Sequence, residues 1–335
     1  MTHFGDLSEI SLPASALTLG SFDGLHLGHQ SLIASLVRQA RRDDLPSVVV
    51  TFFPHPSVVL RGRRPAYYIT LPEEKAALLT AAGVDHVVTQ HFDEALSRVP
   101  AGEFLDRLEW RIHFRHLWIG EDFALGHERE GNRLFLRREA EQRGFELHVA
   151  EPLKVGGEVV SSTRVREALR AGDVARVATY LGRPFVLRGQ VVQGAGRGKA
   201  LGIPTANLAL REEQAYPGNG VYACWAEAGR SRHPAVTNVG LRPTFDDVLP
   251  APVVETHLLD WDAELYGAEV ALTFVARLRE ERRFAGRDEL VRQIRRDIEQ
   301  ARDLLGVGME DADPLPDPLR DAPSGVRGAT KRDDR

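Results

Sequence analysis

The residues best placed to do chemistry fall into two groups, one in each half of the chain. The first is Gly20-Ser21-Phe22-Asp23-Gly24-Leu25-His26-Leu27-Gly28-His29, a glycine-rich turn that closes on His-x-Gly-His. Glycines here let a phosphate approach the backbone, and a helix opening at this point turns N–H groups and a positive dipole end toward it. His26 and His29 stand three apart, so both imidazoles reach one pocket and can donate to charge developing on a triphosphate attacked at its α-phosphorus. The plain alternative is a pair of helix-capping histidines. A metal reading finds no third ligand at suitable spacing nearby.

The second group begins at Gly194 in a flexible basic stretch, Gly196-Arg197-Gly198-Lys199-Ala200-Leu201, and runs into Gly202-Ile203-Pro204-Thr205-Ala206-Asn207. The GxxxxGK[ST] spacing of a Walker loop is absent. Thr205 and Asn207 nevertheless offer hard oxygens of the kind Mg²⁺ accepts when ATP supplies the rest. About fifty residues later Val253-Val254-Glu255-Thr256-His257 carries a carboxylate able to take the proton of an attacking alcohol. Read singly, these are a turn, a polar cap and an outward-facing strand carboxylate. A further anion site is written in Val160-Ser161-Ser162-Thr163-Arg164-Val165-Arg166, with hydroxyls and guanidinium groups at a helix start. Its plain reading is a serine N-cap.

The elements that must position these groups change character midway. Up to residue 182 strands and helices alternate. Strands are expected at 16–19, 47–53, 84–89, 117–119 and 147–149. Helices are expected at 29–42, 73–82 with Gly83 as its stop, 101–113 and 132–143. That alternation predicts a parallel sheet covered on both faces. After Gly182-Arg183-Pro184, strands follow one another at 185–193, 220–228, 234–239, 253–259 and 269–278, with one helix at 286–305. That pattern predicts a small antiparallel barrel closed by a C-terminal helix. The expected domains are therefore 1–182 and 183–308. Residues 309–335, with four prolines and no apolar periodicity, read as a disordered tail.

In this order the motifs resemble the bacterial bifunctional riboflavin kinase/FMN adenylyltransferases. The carriers are the residue 20–29 turn, Phe53-Pro54-His55-Pro56, Gly120-Glu121-Asp122-Phe123-Ala124-Leu125-Gly126 with Gly131-Asn132, and the Ser-Ser-Thr element. Pro-Thr-Ala-Asn, Gly220-Val221-Tyr222-Ala223, Asn238-Val239-Gly240 with Arg242-Pro243-Thr244-Phe245, Glu255-Thr256-His257 and Arg279-Glu280-Glu281-Arg282-Arg283-Phe284 complete the set over about residues 8–306.

The resemblance implies an α/β nucleotidyltransferase domain, a Rossmann-like sheet of the HxGH type, followed by a β-barrel kinase domain. It implies that His26 and His29 are catalytic, with Gly20, Phe22, Asp23, Gly28, Ser161, Ser162, Thr163, Arg166, Gly194 and Lys199 on ATP. It further implies that Pro54, Pro56 and Asp122 line the flavin side, that Thr205 and Asn207 hold Mg²⁺ with ATP, and that Glu255 is the general base. Riboflavin, FMN and ATP are the implied partners, without a tightly bound organic cofactor. Phe53 departs from the family, where an acidic residue is common, and Lys199, Ala200 and Ile203 stand where Arg, Thr and Phe are usual.

Three other readings stay open on the residues alone: a monofunctional adenylyltransferase with an inert second domain, a class I aminoacyl-tRNA synthetase fragment, and a flavin carrier. The intact Pro-Thr-Ala-Asn and Glu255 count against the first, and the missing Lys-Met-Ser-Lys-Ser-like loop against the second. Lost catalytic residues would favour the third, and none is lost. A net charge of −5 gives no support for a nucleic-acid face, the Arg61-Gly62-Arg63-Arg64 cluster aside. A single cysteine, Cys224, excludes an intrachain disulfide and cysteine-cluster metal sites. No leader pattern and no run of about 18–20 apolar residues is present, so the expected location is the cytoplasm, with no membrane partner.

Overall fold

The computed structural model describes residues 2–62, 67–194, 198, 202–242, 251–261 and 263–306. Arg63, Arg64, Gly196, Arg197, Lys199, Ala200, Leu201, Pro243, Thr244, Phe245 and the 309–335 segment lie outside them. The described residues form two compact units, one of 2–62 and 70–160 and one of 67–69 and 161–306.

The first unit is built on six parallel strands: β1 (Thr2–Phe4), β2 (Ser15–Leu19), β3 (Ser47–Phe53), β4 (His86–His91), β5 (Phe114–Gly120) and β6 (Glu146–Ala150). They lie in the order β1-β4-β3-β2-β5-β6. The helices between them are α1 (Leu27–Arg42), α2 (Pro56–Arg61), α3 (Pro72–Ala81), α4 (Glu94–Ser97), α5 (Ala101–Ile112) and α6 (Arg133–Arg143). Alternation along the strands sorts the core. Leu17, Leu19, Val48 and Val50 pack with Phe104, Leu105 and Leu108 of α5. Ala16 and Val49 turn the other way, onto Ile33, Leu36 and Val37 of α1 and Leu79 of α3. Strands buried on both faces explain their unbroken apolar runs. A short hairpin, β7 (Lys154–Val155) with β8 (Glu158–Val159), follows the sheet.

From β2 the chain works outward through β3 and β4, and later returns to the other side of β2 as β5 and β6. The order reverses between β2 and β5, and in such sheets ligands bind beyond the carboxyl ends of strands at the reversal. The Gly20–His29 turn leaves the end of β2, and Asp122 follows the end of β5.

The second unit opens with α7 (Ser162–Ala171) and α8 (Val174–Leu181), packed on each other. A closed antiparallel barrel follows: β9 (Phe185–Val192), β10 (Ala206–Ala209), β11 (Gly220–Ala228), β12 (Ser231–Arg242), β13 (Ala251–Leu258) and β14 (Glu269–Arg279). Its order is β10-β13-β12-β11-β14-β9. The last helix, α9 (Arg287–Leu305), lies against β11, β12 and β14, with Ala301 and Leu305 buried on Val221 and Val236. α8 packs against β14 and β9, which groups residues 161–182 with the barrel. Cys224 is buried in β11, and burial pushes its thiol up to about 12, so it serves as a small apolar group.

Candidate active sites

The first site grows out of β2. Ser21 to Leu25 form a tight turn in which Phe22 (φ 44°), Leu25 (φ 41°) and Gly24 (φ 80°) all take left-handed backbone. Two non-glycine residues in that region store strain of the kind that concentrates at functional loops. The turn is over-determined from behind. The buried Asp23 carboxylate accepts from the Thr70 N–H (3.1 Å) and hydroxyl (3.4 Å), and Gly24 N–H donates to Thr70 Oγ1 (3.0 Å).

His26 caps α1, its Nδ1 accepting the His29 N–H at 3.3 Å. That bond fixes the neutral tautomer with the proton on Nε2. The rings of His26 and His29 stack at 3.6 Å, 19° apart, and Phe22 closes edge-on against His29 at 5.2 Å. A side chain at Gly28 would press on the His26 ring at 3.2 Å. His29 Nδ1 is buried without a hydrogen-bond partner. Burial, then the charges of His26 and Lys75, hold His29 well below the ordinary histidine range.

Lys75, on α3, was not legible as part of this site from the sequence. It is buried, and its Nζ donates to Ser21 O (2.8 Å) and to Thr51 Oγ1 (3.1 Å), directly beneath the turn. Burial lowers its ammonium to about 8, against the opposing pull of Asp23.

Of the residues expected on the flavin side, Pro54 follows a cis Phe53–Pro54 peptide at the end of β3, and Pro56 opens α2 behind the capping residue His55. Asp122 lines a cavity of about 560 Å³ with Phe123, Arg129, Asn132 and Arg133, where Arg129 donates to the Asp122 carbonyl at 2.7 Å.

In the second unit, Ser161 caps α7 by accepting the Arg164 N–H at 3.4 Å, and Ser162 and Thr163 form its first turn. Arg166 is buried, its Nε donating to Tyr67 O (2.8 Å) and its guanidinium lying 3.8 Å over the Tyr67 ring.

The second site lies on the barrel wall. Glu255 of β13 stands between Asn207 of β10 and Asn238 of β12, each in direct register with it. Directly opposed residues point the same way. Their neighbours Thr237 and Thr256 are fully buried on the other face, hydroxyl to hydroxyl at 2.9 Å. The Asn–Glu–Asn row therefore faces away from the barrel interior. A cavity of about 480 Å³ opens there, lined by Thr205, Glu255, Asn238, His257, Phe284 and Ile294 among others.

Its rim is tied down on both sides. His257 Nδ1 bonds Pro204 O at 2.7 Å. A Cβ on Gly198 would lie 2.9 Å from Thr205 Oγ1, and one on Gly194 only 2.1 Å from Asn207 Nδ2. Opposite, Arg279 grips the buried Asp297 of α9 through Nε (3.0 Å) and a terminal nitrogen (2.8 Å), and Gln293 adds a third donor at 2.8 Å. Asn238 donates to Glu281 at 3.4 Å, and Phe284 lies beneath the guanidinium groups of Arg279 and Arg282. The sequence had singled out the Arg279–Phe284 segment, but not its pairing with α9.

Comparison with known proteins agrees with this arrangement. Residues 9–164 match the FAD synthetase family model and residues 181–305 the riboflavin kinase model. The bifunctional riboflavin kinase/FMN adenylyltransferase of Escherichia coli (strain K12) is 36% identical over 304 residues, 90% of this chain and 96% of that protein. The protein of the same description from Bacillus subtilis (strain 168) is 33% identical over 303 residues, again 90% and 96%. A solved structure described as a macrolide-efflux protein from Streptococcus pneumoniae superposes with a TM-score of 0.82 at 30% identity, over 90% of this chain and 98% of that one. By two family models in series and identity along nearly its whole length, the chain belongs to the bifunctional riboflavin kinase/FMN adenylyltransferase family.

Proposed function

We propose that the two steps of FAD synthesis run at two separate groups of residues, with Glu255 the base of the first and the His26/His29 pair the electrostatic core of the second. The chain phosphorylates riboflavin to FMN with ATP, then transfers an adenylyl group from ATP to FMN, giving FAD and pyrophosphate. The observation that carries the assignment is the register of Glu255 between two asparagines at the wall of a cavity fringed by Thr205.

In the phosphorylation, the Glu255 carboxylate accepts the proton of the ribityl hydroxyl as that oxygen meets the γ-phosphorus of ATP. Asn207 and Asn238 flank it on the neighbouring strands. Thr205 and Asn207 are hard oxygen donors, and the backbone at Gly198 and Gly194 approaches them so closely that a side chain at either glycine would fill the place beside them. They would hold Mg²⁺, which neutralises phosphate charge when bound. Gly194 and Lys199 are assigned to ATP.

In the adenylyl transfer, no protein nucleophile is needed, because the FMN phosphate attacks the α-phosphorus directly. His26 donates from Nε2, and the unpartnered Nδ1 of His29 is reserved for the same polyphosphate. Lys75 adds a positive charge beneath the Gly20–Asp23 turn. Gly20, Phe22, Asp23 and Gly28 shape that turn, and Ser161, Ser162, Thr163 and Arg166 are assigned to ATP. Pro54, Pro56 and Asp122 are assigned to the flavin. We assign the first reaction to residues 183–308 and the second to 1–182, place the enzyme in the cytoplasm, and expect no nucleic-acid partner. No helix among the described residues is long and apolar enough to cross a membrane.

The test is reciprocal. His29→Ala blocks FMN-to-FAD conversion and spares riboflavin phosphorylation; Glu255→Gln lowers riboflavin phosphorylation about 10²–10⁴-fold and spares FAD formation from added FMN. Chromatographic resolution of riboflavin, FMN and FAD over time reads both. Parallel loss of both activities in either variant contradicts separate sites.

A further inference from the structure

One cluster of titratable side chains belongs to neither site. On adjacent strands His116 of β5 stands opposite Glu146 of β6, and Trp118 opposite His148. All four share one face of the sheet, with His116 and Glu146 near the end where β5 and β6 begin and His148 at the middle of β6. The HxGH turn and Asp122 follow the ends of β2 and β5, at the other edge of the sheet.

Three ligand atoms converge. His116 Nδ1 is 3.2 Å from His148 Nε2 and 3.4 Å from Glu146 Oε2, and His148 Nε2 is 3.6 Å from the same oxygen. A tetrahedral ion with bonds of about 2.0–2.2 Å spaces its ligands by about 3.3–3.6 Å. The centre of the observed triangle lies about 2.0 Å from each corner, so an ion bonded to all three sits roughly half an ångström off its plane. Glu146 is exposed, which leaves the fourth direction open to water.

The surroundings orient these atoms. Asp43 Oδ2 lies 2.8 Å from His116 Nε2 and accepts its proton, so the Nδ1 lone pair faces the cluster. Asp43 is the C-cap of α1, so the same carboxylate links a helix end to the group. Trp118 lies flat on the His148 ring at 4.4 Å and 13°, fixing its plane.

We propose that His116, His148 and Glu146 bind a divalent transition-metal ion of the zinc class, with water as fourth ligand and Asp43 orienting His116. The ion is structural. It ties β5, β6 and the end of α1 together at the edge of the sheet away from the reacting groups.

The experiment uses the full chain, tag-free and stripped by chelation, titrated with CoCl₂ for visible absorption and with ZnCl₂ for calorimetry and thermal unfolding. One equivalent binds, cobalt shows the intense visible bands of a four-coordinate centre, and tryptophan fluorescence is quenched through Trp118. Glu146→Gln, an exposed change that leaves the fold intact, and His148→Gln remove that binding. Asp43→Asn weakens it about 10–100-fold. Zinc raises the unfolding temperature of the wild type and not of Glu146→Gln, and both Mg²⁺-ATP activities of Glu146→Gln match the wild type. No saturable binding at micromolar metal, or a cobalt spectrum identical in wild type and Glu146→Gln, overturns the proposal and leaves the histidines as a hydrogen-bonded pair.

Discussion

Lys75 gives the sharpest test of how the first site is built. Its ammonium is buried beneath the Gly20–Asp23 turn and lowered from 10.5 to about 8, mainly by loss of water. At pH 7 the group is protonated in both folded and unfolded chains, so the folded state carries the desolvation cost of the charge. A difference of roughly 2.5 units at 1.36 kcal/mol each makes that cost about 3 kcal/mol.

Above pH 8 the folded protein releases the proton while the unfolded chain keeps it until about 10.5. The unfolded state then binds more protons, so stability rises with pH across this window. Between pH 7 and 9 the gain from this one group is about 1 kcal/mol, or roughly half a molar in urea midpoint at a slope of about 2 kcal/mol per M. Lys75→Met keeps the aliphatic stem and loses the bonds to Ser21 and Thr51, which shifts stability by a pH-independent amount. The informative quantity is the change in the wild-type minus Lys75→Met difference between pH 7 and 9. Urea unfolding of both proteins, followed by tryptophan fluorescence at the two pH values, measures it. Parallel pH dependences would refute a strained buried ammonium.

Two further outcomes test the second site. Gly194→Ala puts a methyl where only 2.1 Å separates it from Asn207 Nδ2, so Asn207 moves; riboflavin kinase kcat/KM falls by up to about a hundredfold while FMN adenylylation is unchanged. Steady-state kinetics of both reactions read this, and unaltered kinase kinetics would remove Asn207 from the site. Asp297→Ala leaves Arg279 without its buried partner and destabilises by about 3–5 kcal/mol, a fall in unfolding temperature of at least about 6 °C by calorimetry. Pairing Arg279→Met with Asp297→Leu restores part of it; failure to restore any would mean that Asp297 serves something other than the ion pair.

Much of this was legible in the sequence because the information is local. Ser47–Phe53, a β-branched run, is β3 to the residue, and the 220–228 strand is β11. The His-x-Gly-His turn states its own geometry through glycine placement and a helix start. Shifts arose where the boundary depends on a partner: the strand read at 84–89 is β4 at His86–His91, aligned by its pairing with β3. β1 went unread because three residues carry no period, and it exists through its pairing with β4. β10 is absent from the expected strands, since Ala206–Ala209 becomes a strand by pairing with β9 and β13, distant in sequence. The same reason hides the supporting charges. Nothing local marks Lys75 as buried under a turn fifty residues earlier, Asp297 as the partner of Arg279, or His116 as the neighbour of His148.

The alternation along β13 has one more consequence. Val254, Thr256 and Leu258 fill the barrel, while Glu255 and His257 face the cavity, so fold and catalysis are interleaved residue by residue on one strand. A substitution on either face disturbs one of them. A single inserted or deleted residue exchanges the two faces together, turning a carboxylate inward and a core side chain toward substrate. A substitution in this strand therefore costs one function at one position, whereas a change in its length costs both at every position beyond it.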